Sequence, residues 1–389
     1  MQSSSKKPPI IWTNLLVLGL PVLITFTVVP WYGFTYGYDL FEWVWLFILI
    51  TFCEMSITAG YHRLWSHKAY QAHPILKFVF ALGGACALQN HCIVWASDHR
   101  RHHLYVDDND KDPYSAKLGF WYSHFGWMIR EYESVKDDFS NVDDLFKEPI
   151  LVWQKKYYLP LTLLMNLGLP LLLGYLHGDI WGALLLLGFL RLVLSQHFTY
   201  LINSAAHIWG SRQYDPNQTA RDNSFIALLT YGEGYHNYHH TFAWDYRNGI
   251  KWYHYDPTKW FIKACSWLKL TSNLRACSSW RQEITRVEVQ YQSALAKCEK
   301  LIDPALWRKQ LESEYQSLLQ TLNHWAELKQ QWYERKSKTL QDKFQELDAA
   351  HIQQAYNELK ISLKNQRKNW NALLQDFSAL PALAQPQGN

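Results

Sequence analysis

The sequence predicts an all-α integral membrane protein: four transmembrane helices, a cytoplasmic helical cap holding a metal site, and a C-terminal helical extension. Three observations predict it. Four apolar runs of about twenty residues can each cross a hydrocarbon core of roughly 30 Å. Three tight histidine clusters and His207 sit at ends of those runs that share one side. After Trp280 the composition turns to Gln, Glu, Lys, Leu and Trp, with long stretches free of Gly and Pro. The 389 residues are 48% hydrophobic, yet the mean hydropathy is −0.26, so apolar blocks stand beside a strongly polar remainder.

Residues 1–9 form a short polar tail carrying Lys6 and Lys7, and 10–30 are the first span. A signal peptide is the alternative, but the run is long and lacks a small-residue cleavage site. Residues Trp31–Tyr38 carry no Lys or Arg and face outward. The second span, 41–60, contains Glu42 near its start and Glu54 deep inside, and Arg63 and Lys68 follow it. The third, 159–177, is preceded by Lys155 and Lys156, and the turn His177-Gly178-Asp179 leads into the fourth, 180–201. The positive-inside rule puts both termini in the cytoplasm. Arg191, within the fourth span, must face protein or water. Ile75–Trp95 is apolar enough for a fifth span, but Lys77, Gln89, Asn90 and His91 weaken it. Crossing there would put histidines on opposite sides of the membrane, so this segment is expected to lie in the interface or re-enter.

The membrane domain thus covers 10–279. An amphipathic helical or coiled-coil extension covers 280–380, with Leu301, Leu311, Leu318, Leu319 and Leu322 at roughly helical spacing and Pro304 as the main interruption. The tail 381–389 is expected to be disordered. Twenty Trp and 24 Tyr suit membrane interfaces. The net charge of +4 carries no nucleic-acid signature. Six cysteines show no CxxC pair and no disulfide framework.

The chemistry is carried by histidine. In Gly232-Glu-Gly-Tyr-His-Asn-Tyr-His-His240, His236, His239 and His240 stand at i, i+3 and i+4, within about a third of a helix circumference. His99-Arg-Arg-His102-His103 repeats that spacing. His62-Arg-Leu-Trp-Ser-His67 has i, i+5 spacing, about 140° apart on an α-helix, which works if two metals sit side by side or the helix ends between the pair. Asn203-Ser-Ala-Ala-His207 puts an amide one turn before an imidazole. Nine imidazoles exceed what one ion needs, so two first-row metal ions are the economical reading. Asp98 and Glu233 are expected to orient imidazoles through their free N–H. His73, His91, His124, His177, His197, His254, His324 and His351 read as structural. Asp107–Asp112 lacks the central Gly and the closing Glu of a calcium loop and reads as a solvated charge run. HExxH, P-loop and GxGxxG motifs are missing.

These four boxes resemble those of the stearoyl-CoA desaturase family, membrane fatty acid desaturases of the acyl-CoA delta-9 type. The likeness runs from about residue 10 to 255, including Gln89-Asn90 and Gly119–Trp127. It implies two irons held by His62, His67, His99, His102, His103, His207, His236, His239 and His240, with Asn203 reached through water. It implies that Gln89, Trp95, Thr199 and Tyr200 line a bent acyl tunnel and that Asn90, Asp98 and Arg130 lie near the CoA head group. Ser97 and Glu131 depart from the family's basic residues at their positions.

The implied activity is O2-dependent introduction of a cis double bond, at Δ9, into a saturated acyl chain carried as acyl-CoA or another acyl thioester or lipid. A hydroxylase or alkane-monooxygenase-like enzyme is the alternative within catalysis; a non-catalytic metal- or lipid-binding membrane protein is the alternative outside it. Electrons are expected from a separate ferredoxin- or cytochrome b5-like donor with its reductase, because no His-Pro-Gly-Gly motif is fused. A bacterial inner membrane is the expected location.

Overall fold

A computed structural model describes residues 7–299, 304–339 and 346–379. The chain separates into two compact units, Met1–Ala276 and Cys277–Asn389.

In the first unit, four helices are long and apolar enough to cross a membrane: Trp12–Thr35, Leu40–Ser66, Tyr158–His177 and Ile180–Ile208. The first runs five residues beyond the expected end, straight through Pro30. A missing N–H costs less than abandoning the helix where no water can replace backbone partners. The second begins with a capping box, in which Asp39 accepts from the Phe41 and Glu42 amides while Glu42 accepts from the Asp39 amide. Between the third and fourth, Gly178 takes a left-handed φ of +97°, and Asp179 caps the next helix through the Gly182 amide at 2.9 Å.

The intramembrane ionisable groups face protein. Arg191 is buried and donates to the Cys86 and Leu187 carbonyls and to Asn166 Oδ1. Glu54 accepts from Ser195 Oγ at 2.8 Å. Such groups persist in a membrane core only where protein supplies the lost hydration.

The ambiguous apolar segment is two helices, Pro74–Ala87 and Cys92–Tyr105, bent by 83° at their junction. Leu88 and Asn90 adopt left-handed φ values of 52° and 73° at the elbow, and Gln196 of the fourth span donates to the Leu88 carbonyl. His73 and His91 cap the two arms. A two-stranded antiparallel pairing, Gln71–Ala72 with Thr271–Ser272, ties the start of this pair to the end of the unit.

The second unit contains helices Ser279–Cys298, Pro304–Thr339 and Glu346–Ala379. Val287, Leu311, Leu318, Leu322, Trp370 and Phe377 share its core. Pro304 opens a helix, where its missing N–H has no intrahelical partner to lose. Leu301 and the tail 381–389 lie outside the described residues.

Candidate metal centre

Four segments converge. The second span does not end between His62 and His67; its last stretch, Ser56–Ser66, is π-helical, and the His67 amide bonds the His62 carbonyl. A π turn closes on the fifth residue ahead, so i, i+5 side chains stack on one face, and these two rings lie 4.8 Å apart. The arm Cys92–Tyr105 presents His99, His102 and His103. The fourth span breaks at Ser204 and restarts as Ala205–Ile208, which carries His207.

The last box is a short helix, His236–Thr241. Its approach needs both glycines. Gly232 has a φ of +104°, and any Cβ on Gly234 would lie 2.2 Å from the Ala227 nitrogen. Asp222 then accepts from the Tyr238 amide at 3.0 Å, fixing the helix start.

All nine histidines fall into two groups, and in each the candidate ligand atoms lie within 4.8 Å of one another. One group is His62, His67, His99, His103 and His239; the other is His102, His207, His236 and His240. They adjoin, with the His103 and His240 rings stacked at 4.1 Å. Each i, i+3, i+4 triplet is therefore split. Its i and i+4 rings serve one group and its i+3 ring serves the other.

The donor geometry fits metal ions. In the first group the Nε2–Nε2 separations are 2.9 Å for His62–His239, 2.8 Å for His67–His99 and 3.1 Å for His103–His239. In the second they are 3.1 Å for His207–His236 and 3.0 Å for His236–His240. Two imidazole nitrogens bound at about 2.1 Å to one cation and at right angles would stand about 3.0 Å apart.

Tautomers agree. His62 Nδ1 lies 2.9 Å from Glu233 Oε2 and His102 Nδ1 lies 2.9 Å from Asp112 Oδ1. The His102 Nδ1 contact is a hydrogen bond to a carboxylate, which only accepts, so that nitrogen carries the proton and its Nε2 presents the lone pair. The His62–Glu233 contact is close without hydrogen-bond geometry. His102 Nε2 is buried with no hydrogen-bond partner among the described residues. The Thr219 hydroxyl donates to Asp107 Oδ1, so it must accept from His207 Nδ1 at 2.8 Å, which frees that ring's Nε2 as well. Burial and neighbouring imidazoles push His67, His236, His239 and His240 well below the usual histidine range, keeping them in the neutral, ligating form.

The carboxylates around the site correct two expectations. Asp98 does not orient a histidine; it pairs with Arg101 at 2.6 Å. Asp107–Asp112 is not a wholly solvated run. Asp107 and Asp112 are buried and support His207 and His102, while Asp108 and Asp110 bear the turn. The available signal was its position directly after the His99–His103 box, where a returning loop can reach the same imidazoles. Glu233 meets its expectation and is itself held by Arg63 Nη2 at 2.8 Å and by Asn248 at 2.6 Å. Burial alone would raise the Glu233 carboxyl, but Arg63 and His62 hold it below the usual carboxylate range.

Of the remaining expected site residues, three come together beside the histidines. Gln89 Nε2 donates to Thr199 Oγ1 at 2.8 Å, and Trp95 Nε1 donates to Gln89 Oε1 at 3.3 Å. The Trp95 indole lies over the His99 ring, 4.9 Å between centroids and 23° from parallel. Tyr200 is buried next to Thr199 and meets His124 and His197 edge-on. Asn90 accepts from the His91 amide, and Arg130 donates to the Pro8 carbonyl at 2.6 Å. Ser97, one of the two departures, is buried, and its single hydroxyl proton faces the Asp138 carbonyl and Asn141 Oδ1. Asn203 ends the helix one turn before His207 and is half-buried.

Four apolar helices joined to two all-imidazole pockets define a helical membrane protein with two candidate metal sites. Comparison with known proteins narrows the class: residues 40–268, more than half of the chain, match the fatty acid desaturase family, and the chain belongs to it. It is 42% identical over 261 residues to a probable acyl-CoA desaturase of Schizosaccharomyces pombe, covering 67% of this chain and 53% of that protein. It is 37% identical over 310 residues to acyl-CoA desaturase 1 of Saccharomyces cerevisiae, covering 77% and 59%. The sn-2 palmitoyl-lipid 9-desaturase of a Nostoc strain is 35% identical over 277 residues, covering 69% and 91%. The chain thus spans little more than half the length of the two yeast relatives.

Proposed function

We propose that this chain is an O2-dependent fatty acyl desaturase that places a cis double bond at Δ9 of a saturated chain carried as acyl-CoA. The observation that carries the reading is the contact between the Gln89–Thr199–Trp95 group and the five-histidine pocket through the Trp95–His99 stack. Imidazole-only donor sets suit iron among the first-row metals. Two iron ions held by the two groups, with Asn203 contributing through water, would supply reductive activation of O2. The balance is R–CH2–CH2–R′ + O2 + 2e− + 2H+ → R–CH=CH–R′ + 2H2O.

The protein's own task is positioning. A methylene offers no polar handle, so Gln89, Trp95, Thr199 and Tyr200 hold the acyl chain by shape against the histidines. Gln89 bridges the elbow of the re-entrant pair to the fourth span, so one amide sets the spacing between two walls. Asn90, Asp98 and Arg130 are assigned to the head-group end. The electrons come from a separate ferredoxin- or cytochrome b5-like donor docking on the histidine side, which faces the cytoplasm with both termini. A bacterial inner membrane is the assigned location.

The test is expression in a desaturase-deficient host with gas chromatography of its fatty acids. A new 9-unsaturated chain is expected, and a hydroxy acid without alkene would overturn desaturation in favour of hydroxylation. Purified protein given iron, reductant and O2 should then act on stearoyl-CoA. Turnover of phospholipid-bound chains alone would overturn the CoA assignment, which the names of the yeast relatives support.

A further inference from the structure

The helix Pro257–Trp267 has two faces of different kinds. Thr258, Ile262 and Cys265 are buried inward. Outward stand Trp260 and Trp267, 47% and 73% exposed, followed by Leu268 at 71%. Seven residues separate the two indoles, two helical turns, so they project to the same side. Lys251, Lys263 and Lys269 around them are exposed, and Asp256 is the one acid between residues 249 and 275. That acid is buried and consumed internally, capping the helix through the Lys259 amide and pairing with Arg63. The outer surface is therefore aromatic and purely basic.

Its place in the fold says what covers it. Thr258 Oγ1 bonds Thr58 Oγ1 of the second span at 2.7 Å and also donates to the Tyr231 carbonyl. The Leu270 carbonyl accepts from the His73 amide, and Thr271–Ser272 pair with the link that leaves the second span. The helix is thus bolted to the point where a lipid-facing helix ends. Ile75 and Phe78, on the helix that follows this link, are also exposed.

We propose that Pro257–Trp267 is an interfacial anchor that lies in the headgroup layer of an anionic leaflet. Trp260, Trp267 and Leu268 enter the boundary with the acyl chains, and Lys251, Lys263 and Lys269 bind lipid phosphates. Amphipathic rings at the headgroup level flanked by lysine are what such a surface accommodates. A soluble acidic partner would match the charge alone. A bilayer matches the charge, the indoles and the attachment to the spans. Because Asp256 both caps this helix and holds Arg63, which in turn holds Glu233 against His62, the anchor is mechanically continuous with the metal centre.

The test uses the full chain in nanodiscs of phosphatidylcholine, with or without phosphatidylglycerol. The native cysteines are all buried, so single Trp267→Cys and Trp260→Cys variants take a nitroxide label at the introduced thiol. Collision with dissolved O2 should dominate at both sites. Collision with an aqueous nickel chelate should be lower, on the order of tenfold, than at Glu133→Cys on an exposed loop. Adding phosphatidylglycerol should deepen the labels, and Lys251→Ala/Lys263→Ala/Lys269→Ala should erase that dependence. Nickel access equal to the loop control in both discs would overturn the anchor. Shielding that appears only when an acidic redox protein is added would overturn it in favour of protein docking. Depth that ignores lipid charge would overturn the headgroup preference.

Discussion

The two histidine groups are built alike but supported differently. The five-histidine group leans on Glu233, which also neutralises the fully buried Arg63 together with Asp256. The four-histidine group leans on Asp112 and, through Thr219, on Asp107, and among the described residues no buried arginine is tied to Asp112. In the first, the same carboxylate holds a ligand and a piece of the fold. In the second, the supports hold ligands and a surface turn. The difference teaches that loss of metal and loss of fold should separate on one side of the centre and coincide on the other.

The comparison breaks most visibly at the ligands themselves. His240→Ala removes one donor of four, whereas His67→Ala leaves four donors in its group. If each pocket takes one metal ion, we expect His240→Ala to bind about one where the parent would bind two, and to lose more activity than the roughly 10–100-fold typical of outer partners. His67→Ala should retain more of both. Metal analysis on purified protein decides it, and equal losses would show that the two groups do not act as separate pockets.

Glu233→Ala comes next. It removes the partner of His62 and leaves Arg63 buried with Asp256 as its one carboxylate, so metal and stability should fall together. Breaking a buried ion pair costs about 3–5 kcal/mol, which thermal unfolding would report as a lower Tm even in metal-free protein. Asp112→Asn should lower metal affinity or activity within about 10–100-fold while the metal-free Tm stays near the parent's. A matching Tm drop in both variants would erase the contrast.

Much of this was legible in the sequence, and what was hidden has identifiable reasons. Apolar length exposed the four spans, and the need to bring histidines to one side kept Ile75–Trp95 from being read as a fifth, whereas the 83° bend after Ala87 was not foreseen. The histidines themselves were legible because eight of them stand in three tight clusters and His207 follows Asn203 by one turn. Their partition was not, because a helix drawn alone makes His236, His239 and His240 neighbours; only the facing helix with His99, His102 and His103 shows that the i+3 ring turns to the other pocket. The pairing of His62 with His67 depended on a π-helical stretch, which no local residue pattern announces. Asp112 looked solvated because charge runs usually are; the loop that buries it closes over the site by tertiary contact with Thr219. Gln89, Trp95, Thr199 and Tyr200 were expected by resemblance to line an acyl tunnel, and the hydrogen bonds among the first three arise where the elbow meets the fourth span.

The smallest effect tests the finest part of the contrast. Thr219 donates a hydrogen bond to Asp107 and accepts one from His207, so the hydroxyl sets which nitrogen of that ring faces the four-histidine pocket. Thr219→Val keeps the shape and removes the hydroxyl. The loss is one relayed hydrogen bond, about 1 kcal/mol or roughly fivefold in affinity, and it should fall on the four-histidine group alone. The Thr219 amide still bonds Asp107 Oδ2 in the variant, so the turn survives and the Tm should not move. Titrating metal into metal-free protein would show two binding steps, of which only one weakens. If both steps weakened alike, the pockets would share their support, and the division between a group tied to the fold and a group tied to a turn would not hold.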